Sequence, residues 1–401
     1  MAVGAFNTAV IPQDLAEKSF SAMITRLMPN GSAPLVGLTA LLKEETALQI
    51  EHGFFSKTML FPSVVLSAQA LVADTILNVV STANILAGML LRSDSTNENI
   101  LVTAVISPTQ LAVERAIGSV VPATINSAVN LWMVGNAYEE ASLRPASLII
   151  IPQRVTNNTQ IFRNTWAVSE TTRATMLIAG DTAVAESRRD AAAFHAVDME
   201  KGHFFGQRYF GSRNGQPFHT MDGVISFVTQ NVPGNITTLG GTTSYTQLEA
   251  ALDPVFNQVT DPTSIGERLL FVGGFARRVL HQIFRLNGTY FIEDGQTSWG
   301  LQFDSFKIPR GRFNIVEHPL FNAYGQASSW AKMGVALDLH TFNTAYMTGR
   351  KTSNKEFNMD GAVTDNGVDA VGGTLTSELT TLVKNPAADA VLYNFTAGVA
   401  G

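Results

Sequence analysis

The sequence predicts an α+β protein organised around one long helix, with a small all-β module inserted into a longer hairpin. Residues 181–209 are rich in Ala, Glu, Arg, Met and Lys, which favour helix, and they contain no proline. Residues 62–142 hold short β-prone runs separated by turn-like sequence. Residues 267–287 have the pattern of a buried strand followed by an amphipathic helix. Together these three stretches predict the fold class.

The composition indicates a chain that buries part of its outer surface. Charged residues make up 15% of the 401 residues, whereas a typical globular protein has about 25%. The net charge is −6 with no long basic run, which argues against a tight nucleic-acid binder. The absence of cysteine excludes disulfides, thiol nucleophiles and Cys-based metal sites. We see no signal peptide and no apolar run long enough for a membrane span.

The N-terminal region predicts an extended start, a short helix and an irregular arm. Residues 1–12 look extended and end at Pro12. Apolar residues recur every three or four positions over residues 13–28, which predicts an amphipathic helix that ends before Pro29-Asn30-Gly31. Residues 32–61 have little regular period. This arm either caps its own domain or lies on another subunit.

The β-prone runs predict a compact module of about 70 residues. They read VADTILNVVST, MLLRSD, NILVTAVIS, QLAVERAIG and NLWMVG. After them, PASLIIIPQRV (residues 145–155) predicts a strand. From Gln160 to Trp166 every second residue lies on one face of a further strand, and residues 169–172 turn towards the long helix.

The long helix is predicted over residues 181–209. Asp181 is positioned to cap its first turn. Glu186–Arg189 and Asp198–Lys201 are opposite charges three residues apart, which places each pair side by side on a helix. At roughly 1.5 Å per residue, such a helix is about 40 Å long.

The C-terminal half predicts β–α units followed by returning strands. The first predictions are a loop at 211–218, an exposed Gly/Thr-rich loop at 231–244 and a helix at 245–255. The strand ERLLFVGG and the helix GFARRVLHQIFRLN follow, and the apolar stripe of that helix is Phe275, Val279, Ile283 and Leu286. The last predictions are antiparallel strands within 289–316, one strand at 333–345, a polar stretch at 348–372, and two strands on either side of Asn385-Pro386.

No residue pattern supports a catalytic, cofactor-binding or metal site. Gly273-Gly274 lies where a phosphate loop would lie, but the full glycine-rich motifs are missing, so a tight turn is the preferred interpretation. The histidines and acidic residues that we considered lack ligand spacing. They are His195, His203, His281, His318 and His340, then Asp360, Asp365 and Asp369, and the pairs Glu44-Glu45 and Glu139-Glu140. We therefore assign no site residues and no cofactor.

Three stretches follow one another along the chain: TQIFRNTWAVSETT (159–172), AESRRDAAAFHAVDMEKGHFFG (185–206) and RNGQPFHTMDGVISFV (213–228). They and the order of the elements resemble the major capsid proteins of tailed bacteriophages with the Hong Kong 97-type fold, in particular members with a β insertion in the extended loop. VADTILNVVST and NILVTAVISPTQLAVERAIG resemble the inserted module. The resemblance covers nearly the whole chain in architecture.

The resemblance implies a division into five regions. These are an N-terminal arm with a short helix (1–45), an extended loop (46–172) that carries the β module (about 64–140), the spine helix and start of the peripheral domain (173–218), an axial domain (219–320), and returning strands of the peripheral domain (321–401).

The resemblance also implies a function. Copies would form hexamers and pentamers of an icosahedral shell that encloses double-stranded DNA, with portal and scaffolding or decoration proteins as further partners and no membrane. The protein would be part of the virion and would assemble in the bacterial host cytoplasm. Some relatives crosslink a lysine to a neighbour's asparagine, but no motif match extends this to Lys57.

Two alternatives remain at this point. Another phage structural protein, from a tail or a decoration layer, predicts mostly β structure without the long helix at 181–209. An α+β enzyme predicts a concave pocket with perturbed titratable groups near Gly273-Gly274.

Overall fold

The computed structural model describes residues 33–39, 44–175, 181–258, 266–287, 296–298, 301–358 and 369–396. The predicted arm helix at residues 13–28, Asp360 and Asp365 lie outside these ranges. The chain divides into two compact units, one formed by Met1–Phe54 with Val155–Gly401 and the other by Phe55–Arg154. The described part contains both helices and sheets, which confirms the predicted α+β class.

The helices are α1 (Pro34–Thr39), α2 (Glu170–Ala174), α3 (Ala183–Phe205), α4 (Val224–Asn231), α5 (Tyr245–Leu252) and α6 (Gly274–Asn287). The strands are β1 (Glu45–Ala47), β2 (Glu51–Ser56), β3 (Ser63–Val65), β4 (Ile76–Asn78), β5 (Met89–Ser93), β6 (Asn99–Ser107), β7 (Gln110–Glu114), β8 (Asn130–Asn136), β9 (Gln153–Asn158), β10 (Gln160–Ser169), β11 (Tyr209–Arg213), β12 (Gln216–Thr220), β13 (Ile236–Thr238), β14 (Glu267–Val272), β15 (Gln296–Ser298), β16 (Leu301–Ile308), β17 (Gly311–Glu317), β18 (Gly334–Leu337), β19 (Phe342–Met347), β20 (Ser353–Phe357), β21 (Ala370–Val383) and β22 (Ala390–Tyr393).

The long helix α3 is confirmed, with corrected ends. Its N-cap is Thr182, whose side chain accepts a hydrogen bond from Ala185 N, so Asp181 is not the cap. The helix ends at Phe205 because Gly206 leaves helical geometry, with φ −54° and ψ 147°. A Cβ on Gly206 would lie 2.6 Å from Met221 O, so a larger residue does not fit there. Its 23 residues correspond to about 35 Å rather than 40 Å. The predicted Glu186–Arg189 ion pair is present at 3.1 Å, whereas Asp198 accepts a hydrogen bond from Asn164 at 2.9 Å.

The sheet beneath α3 has five strands in the order β1-β19-β21-β10, with β20 also paired to β21. β10 pairs antiparallel with β21 along its whole length, from Gln160↔Leu379 to Ser169↔Ala370. The predicted alternation is confirmed, since Phe162 and Trp166 are buried while the residues between them are half-buried or exposed. Ser169 caps α2 through a hydrogen bond from Thr172 N, which makes the predicted turn.

A second sheet has seven strands in the order β13-β22-β18-β14-β17-β16-β15. The predicted β14–α6 unit is confirmed, and α6 buries Ala276, Val279, Leu280, Ile283 and Phe284 in the main apolar core. Strands β16 and β17 are antiparallel as predicted, but β17 also pairs parallel with β14. Two strands, β21 and β22, flank Asn385-Pro386 as predicted.

Three predictions for this half are wrong. Residues 211–218 form a hairpin of β11 and β12, because Asn214 and Gly215 both adopt positive φ (53° and 73°) and close a two-residue turn. Residues 231–244 are not a plain exposed loop, since β13 pairs with β22 and Leu239 is buried.

The strand predicted at 333–345 is the third error, because it is split between two sheets. Asp338 breaks it by accepting hydrogen bonds from His340 N through its carboxylate and from Thr341 N through its carbonyl. Such Asp-led turns compete with strand pairing. β18 therefore lies in the seven-stranded sheet and β19 in the five-stranded sheet.

The second unit, Phe55–Arg154, is a six-stranded antiparallel sheet in the order β3-β8-β5-β6-β7-β4, so the predicted β-prone runs are confirmed as strands. Its core is a separate apolar cluster of fourteen buried residues, among them Leu77, Leu91, Ile100 and Leu111. The predicted strand at 145–155 is wrong over its first part, since β9 begins only at Gln153. Residues 142–152 form no helix, strand or bridge.

Candidate functional site

One buried polar centre joins α3 to the sheet beneath it. His195 on α3 contacts Ser377 Oγ through Nε2 and Asn164 Oδ1 through Nδ1, both at 2.7 Å. Burial lowers the pKa of His195, against the opposing charge of Asp198. These contacts link Ser377, His195 and Asn164 in the arrangement that a nucleophile, its base and an orienting group have in a catalytic triad. Ser377 is 0% exposed, however, so no substrate reaches its hydroxyl and the contacts act as a structural link.

His203 forms a second link, eight residues or roughly two turns further along α3. It contacts Thr381 Oγ1 on β21 at 2.7 Å, and its ring meets Phe342 edge-on. Burial lowers the pKa of His203 to about 4. Both histidines face β21, and each contacts a different hydroxyl there, Ser377 for His195 and Thr381 for His203.

The pKa of His203 predicts acid sensitivity. The unfolded histidine binds a proton near its ordinary value of about 6.5 and the folded one only near 4, so stability is lost as pH falls through this window. We expect a loss of about 2–3 kcal/mol. Urea unfolding of the dissociated subunit between pH 7 and 4 measures this loss, and His203→Gln should flatten the dependence by that amount. An unchanged pH slope in the variant would assign the acid sensitivity to other groups.

A third centre was not predicted. The Glu200 carboxylate on α3 accepts hydrogen bonds from Leu35 N at 2.8 Å and Val36 N at 2.7 Å, both in α1. His318 Nε2 lies 2.7 Å from the same carboxylate, and both side chains are 0% exposed. The His318 ring is enclosed by Phe204 and Phe321. The sequence shows no acidic residue at a ligand spacing from His318, but the fold brings Glu200, 118 positions away, into contact with it. We call this set the Glu200 anchor, because it holds α1 against α3.

The remaining candidate residues do not converge. Glu45 bonds Asn343 and Lys384, and Glu44 pairs with Lys351 at 2.6 Å. His340 lies 3.2 Å from Asp338, and His281 is half-buried on α6. Glu139, Glu140 and Lys57 are exposed, and the Asp369 carbonyl accepts from Glu170 N. Among the described residues, no group of three or more acidic or histidine side chains is placed to hold a metal ion.

The Gly273-Gly274 turn is a packing feature. A Cβ on Gly273 would lie 2.4 Å from Ala331 O, so the backbone of Ala331 occupies that space. Gly274 N donates to Asn322 Oδ1 at 2.6 Å, so a side chain of the same chain takes the position that a phosphate oxygen would need. The geometry favours the tight-turn interpretation.

This geometry predicts that Gly273→Ala destabilises the first unit by about 2–3 kcal/mol, because the added methyl group meets fixed backbone. The matched control is Gly240→Ala, where nothing lies within 4 Å of the added Cβ. Thermal unfolding of both variants compares them directly. Equal melting temperatures for the two would contradict the close approach seen at Gly273.

A cleft of about 580 Å³ lies at the C-terminal end of α3. Phe205 and Trp330 stack in its wall with ring centroids 4.1 Å apart. Asp222 also lines it, but its carboxylate already accepts hydrogen bonds from Arg208 N at 2.8 Å and Ser226 Oγ at 2.5 Å. The cleft therefore has one aromatic wall and one carboxylate that already accepts hydrogen bonds from its own chain, which is a poor arrangement for acid–base chemistry.

Several strongly exposed large apolar side chains lie on the two stretches that lead into and out of the β module. We call residues 57–62 and 143–152 the leg segments; neither belongs to a strand. Their exposed large apolar side chains are Met59, Phe61, Leu143, Leu148, Ile149 and Ile151, which are 40–92% exposed. Contiguous exposed apolar surface is typical of protein–protein contact sites.

Comparison with known proteins agrees with a shell-forming role. The profile of the SU10 major capsid protein family matches residues 3–396. The major capsid protein of Pseudomonas phage PaMx41 is 37% identical in an alignment over 401 residues, which covers 97% of this chain and 95% of that protein.

Solved structures give weaker similarity. A chain from Mycobacterium phage Cain is 9% identical with a TM-score of 0.48, covering 99% of this chain and all of the other. The capsid of an empty GTA particle is 12% identical, also with a TM-score of 0.48, covering 98% of this chain. None of the described helices is long and apolar enough to cross a membrane. The family match spans both compact units, and the chain belongs to the SU10 major capsid protein family.

Proposed function

We propose that this major capsid protein builds an icosahedral phage shell by forming hexamers and pentamers around packaged double-stranded DNA. The observation that supports this most directly is the family match over residues 3–396, since it includes both the β module and the long helix. A low fraction of charged residues, 15%, fits a chain that covers much of its surface with copies of itself.

We propose the following assignment of residue ranges to regions of the capsid fold. Residues 1–45 act as the N-terminal arm and 46–172 as the extended loop, with the β module at about 64–140. Residues 173–218 contain the spine helix, 219–320 form the axial domain, and 321–401 return to the peripheral domain. The exposed apolar leg segments support the assignment of residues 46–172 as a loop that covers a neighbour.

The partners that we propose besides the chain itself are portal and scaffolding or decoration proteins, and DNA on the inner face. A net charge of −6 suits a shell that encloses DNA without binding it tightly, because strong phosphate contacts would oppose release. Assembly would take place in the bacterial cytoplasm, without a membrane partner.

We propose a structural rather than a catalytic role. The support is that the candidate groups are buried or already hydrogen-bonded. Ser377 and Glu200 are 0% exposed, and the Asp222 carboxylate accepts hydrogen bonds from Arg208 N and Ser226 Oγ. Each is a part of the fold's internal bonding, where no substrate would contact it.

Electron microscopy of the purified chain, combined with size-exclusion chromatography and light scattering, tests the proposal. Closed shells or capsomer rings are expected. A compact monomer at high concentration, even with the scaffolding protein of the same phage added, would contradict self-assembly.

Deletion of residues 1–30 tests the proposed arm. We expect a soluble subunit that assembles poorly, because the Glu200 anchor and the buried core that it joins lie outside the deleted residues. Particle yield by sedimentation measures the effect. Shells of normal yield and size from the truncated chain would remove the arm from the assembly mechanism.

A further inference from the structure

One leg segment has a sequence typical of a strand but no strand partner. Residues 146–151 read ASLIII, bounded by Pro145 and Pro152, and branched aliphatic residues of this kind favour strands. In the structure they lie outside every strand and bridge, with Ile149 72% and Ile151 79% exposed. Disagreement between local sequence preference and observed structure is expected at functional sites.

Strand β10 presents a complementary feature, which is a long edge without a partner among the described strands. It pairs with β21 on one side and ends the order of its sheet on the other. Its ten residues, QIFRNTWAVS, contain no proline and a single charge, Arg163. Proteins usually protect such edges with prolines, charges or short length, because an open edge accepts a further strand.

We propose that residues 146–151 of one copy add as a strand to the free edge of β10 in a neighbouring copy. This inference rests on the proposed shell function and names the contact that the extended loop makes. Backbone hydrogen bonds would supply the affinity, as in other cases of strand addition. Successive side chains of a strand alternate between faces, so Ile149 and Ile151 would share one face. On the exposed face of β10 they would meet Ile161, which is 42% exposed, and Ala167.

The symmetry of a capsomer suits this contact. The donor segment and the acceptor edge are different surfaces of the same chain, so the contact is heterologous. Heterologous contacts generate closed rings when the rotation between copies closes, and a hexamer or pentamer is such a ring. Each copy would then donate one strand and accept one, so residues 146–151 of every copy would be paired within the ring.

The absence of cysteine makes thiol crosslinking a clean test. Ile149→Cys would be mixed in equal amounts with one of four β10 variants before assembly, then oxidised. The β10 variants are Ile161→Cys, Arg163→Cys, Thr165→Cys and Ala167→Cys, all at exposed positions. Because each chain carries one thiol, a mixed disulfide can form only between copies. The matched control pairs Ile149→Cys with Ile76→Cys, which is 47% exposed on β4.

We expect at least one β10 pairing to give disulfide-linked dimers in assembled particles at ten or more times the control yield. Assembled particles in which all four pairings stay at the control level would overturn the inference while leaving the shell function intact. If the wild-type chain forms neither shells nor rings, the proposed function fails and the inference fails with it.

Hydrogen exchange provides a second readout that needs no substitution. Amides of residues 146–151 should exchange at least tenfold more slowly in particles than in dissociated subunits, and a subset of β10 amides should slow as well. The control is residues 72–75 of the β module, whose exchange should not follow assembly in the same way. Equal rates for residues 146–151 in both states would overturn the inference.

Discussion

Replacing Glu200 by alanine is expected to lower the free energy of unfolding by about 3–5 kcal/mol. The Glu200 carboxylate accepts two backbone hydrogen bonds from α1 and contacts His318 Nε2. Truncation removes the acceptor of the buried Leu35 amide and of the buried His318 ring, and each buried group left without an acceptor costs about 1–3 kcal/mol. The half-buried Val36 amide loses the same acceptor. Leu35 and Leu38 would also lose their fixed position in the core cluster that contains Phe204 and Phe271.

The matched control is Arg189→Ala on the same helix. The Arg189 side chain is 58% exposed and pairs with Glu186 at 3.1 Å and Asp181 at 3.5 Å, so its loss should cost only about 0.5 kcal/mol. Urea unfolding of dissociated subunits compares the two variants. Limited proteolysis gives an independent readout, because release of α1 should speed cleavage around residues 33–39 in the Glu200 variant alone. Similar losses for both variants would show that the anchor contributes no more than a surface ion pair.

Replacing Arg115 by alanine is expected to destabilise the β module by about 3–5 kcal/mol, because it leaves a buried charge without its partner. Arg115 binds Glu98 through Nε at 2.9 Å and Nη2 at 2.5 Å, with the two side chains 5% and 0% exposed. Its guanidinium also donates to Leu71 O and Ala123 O, each at 2.5 Å. The ion pair therefore ties together loops that are distant in sequence.

Arg92→Ala is the control within the same module, since Arg92 makes one exposed hydrogen bond to Asn97 at 3.2 Å and its loss should cost less than about 1 kcal/mol. Hydrogen exchange of β6 and β7 amides in the full-length chain measures the stability of the module itself. The Arg115 variant should raise those exchange rates by a hundredfold or more, as expected from about 3 kcal/mol. Exchange as slow as in the Arg92 variant would contradict a stabilising role for the Glu98–Arg115 pair.

The sequence by itself determined the elements whose signals are local. Helix α3 follows from helix-favouring composition without proline, α6 from its apolar stripe, and the module strands from alternating runs separated by turns. The hairpin of β11 and β12 was within reach too, because Asn214-Gly215 is a strong hairpin signal that we interpreted as a loop. The family resemblance, confirmed by the profile match, follows from the order of these elements.

The tertiary structure alone decided which residues meet across the chain. Glu200 and His318 are 118 positions apart, and Glu200 and Leu35 are 165 positions apart, so no spacing rule relates them. The division of residues 333–345 between two sheets depends on which strands lie nearby, which local propensity does not encode. The same limit explains residues 146–151: their side chains favour a strand, but a strand forms only where another backbone supplies its hydrogen bonds, and no described strand of this chain does so.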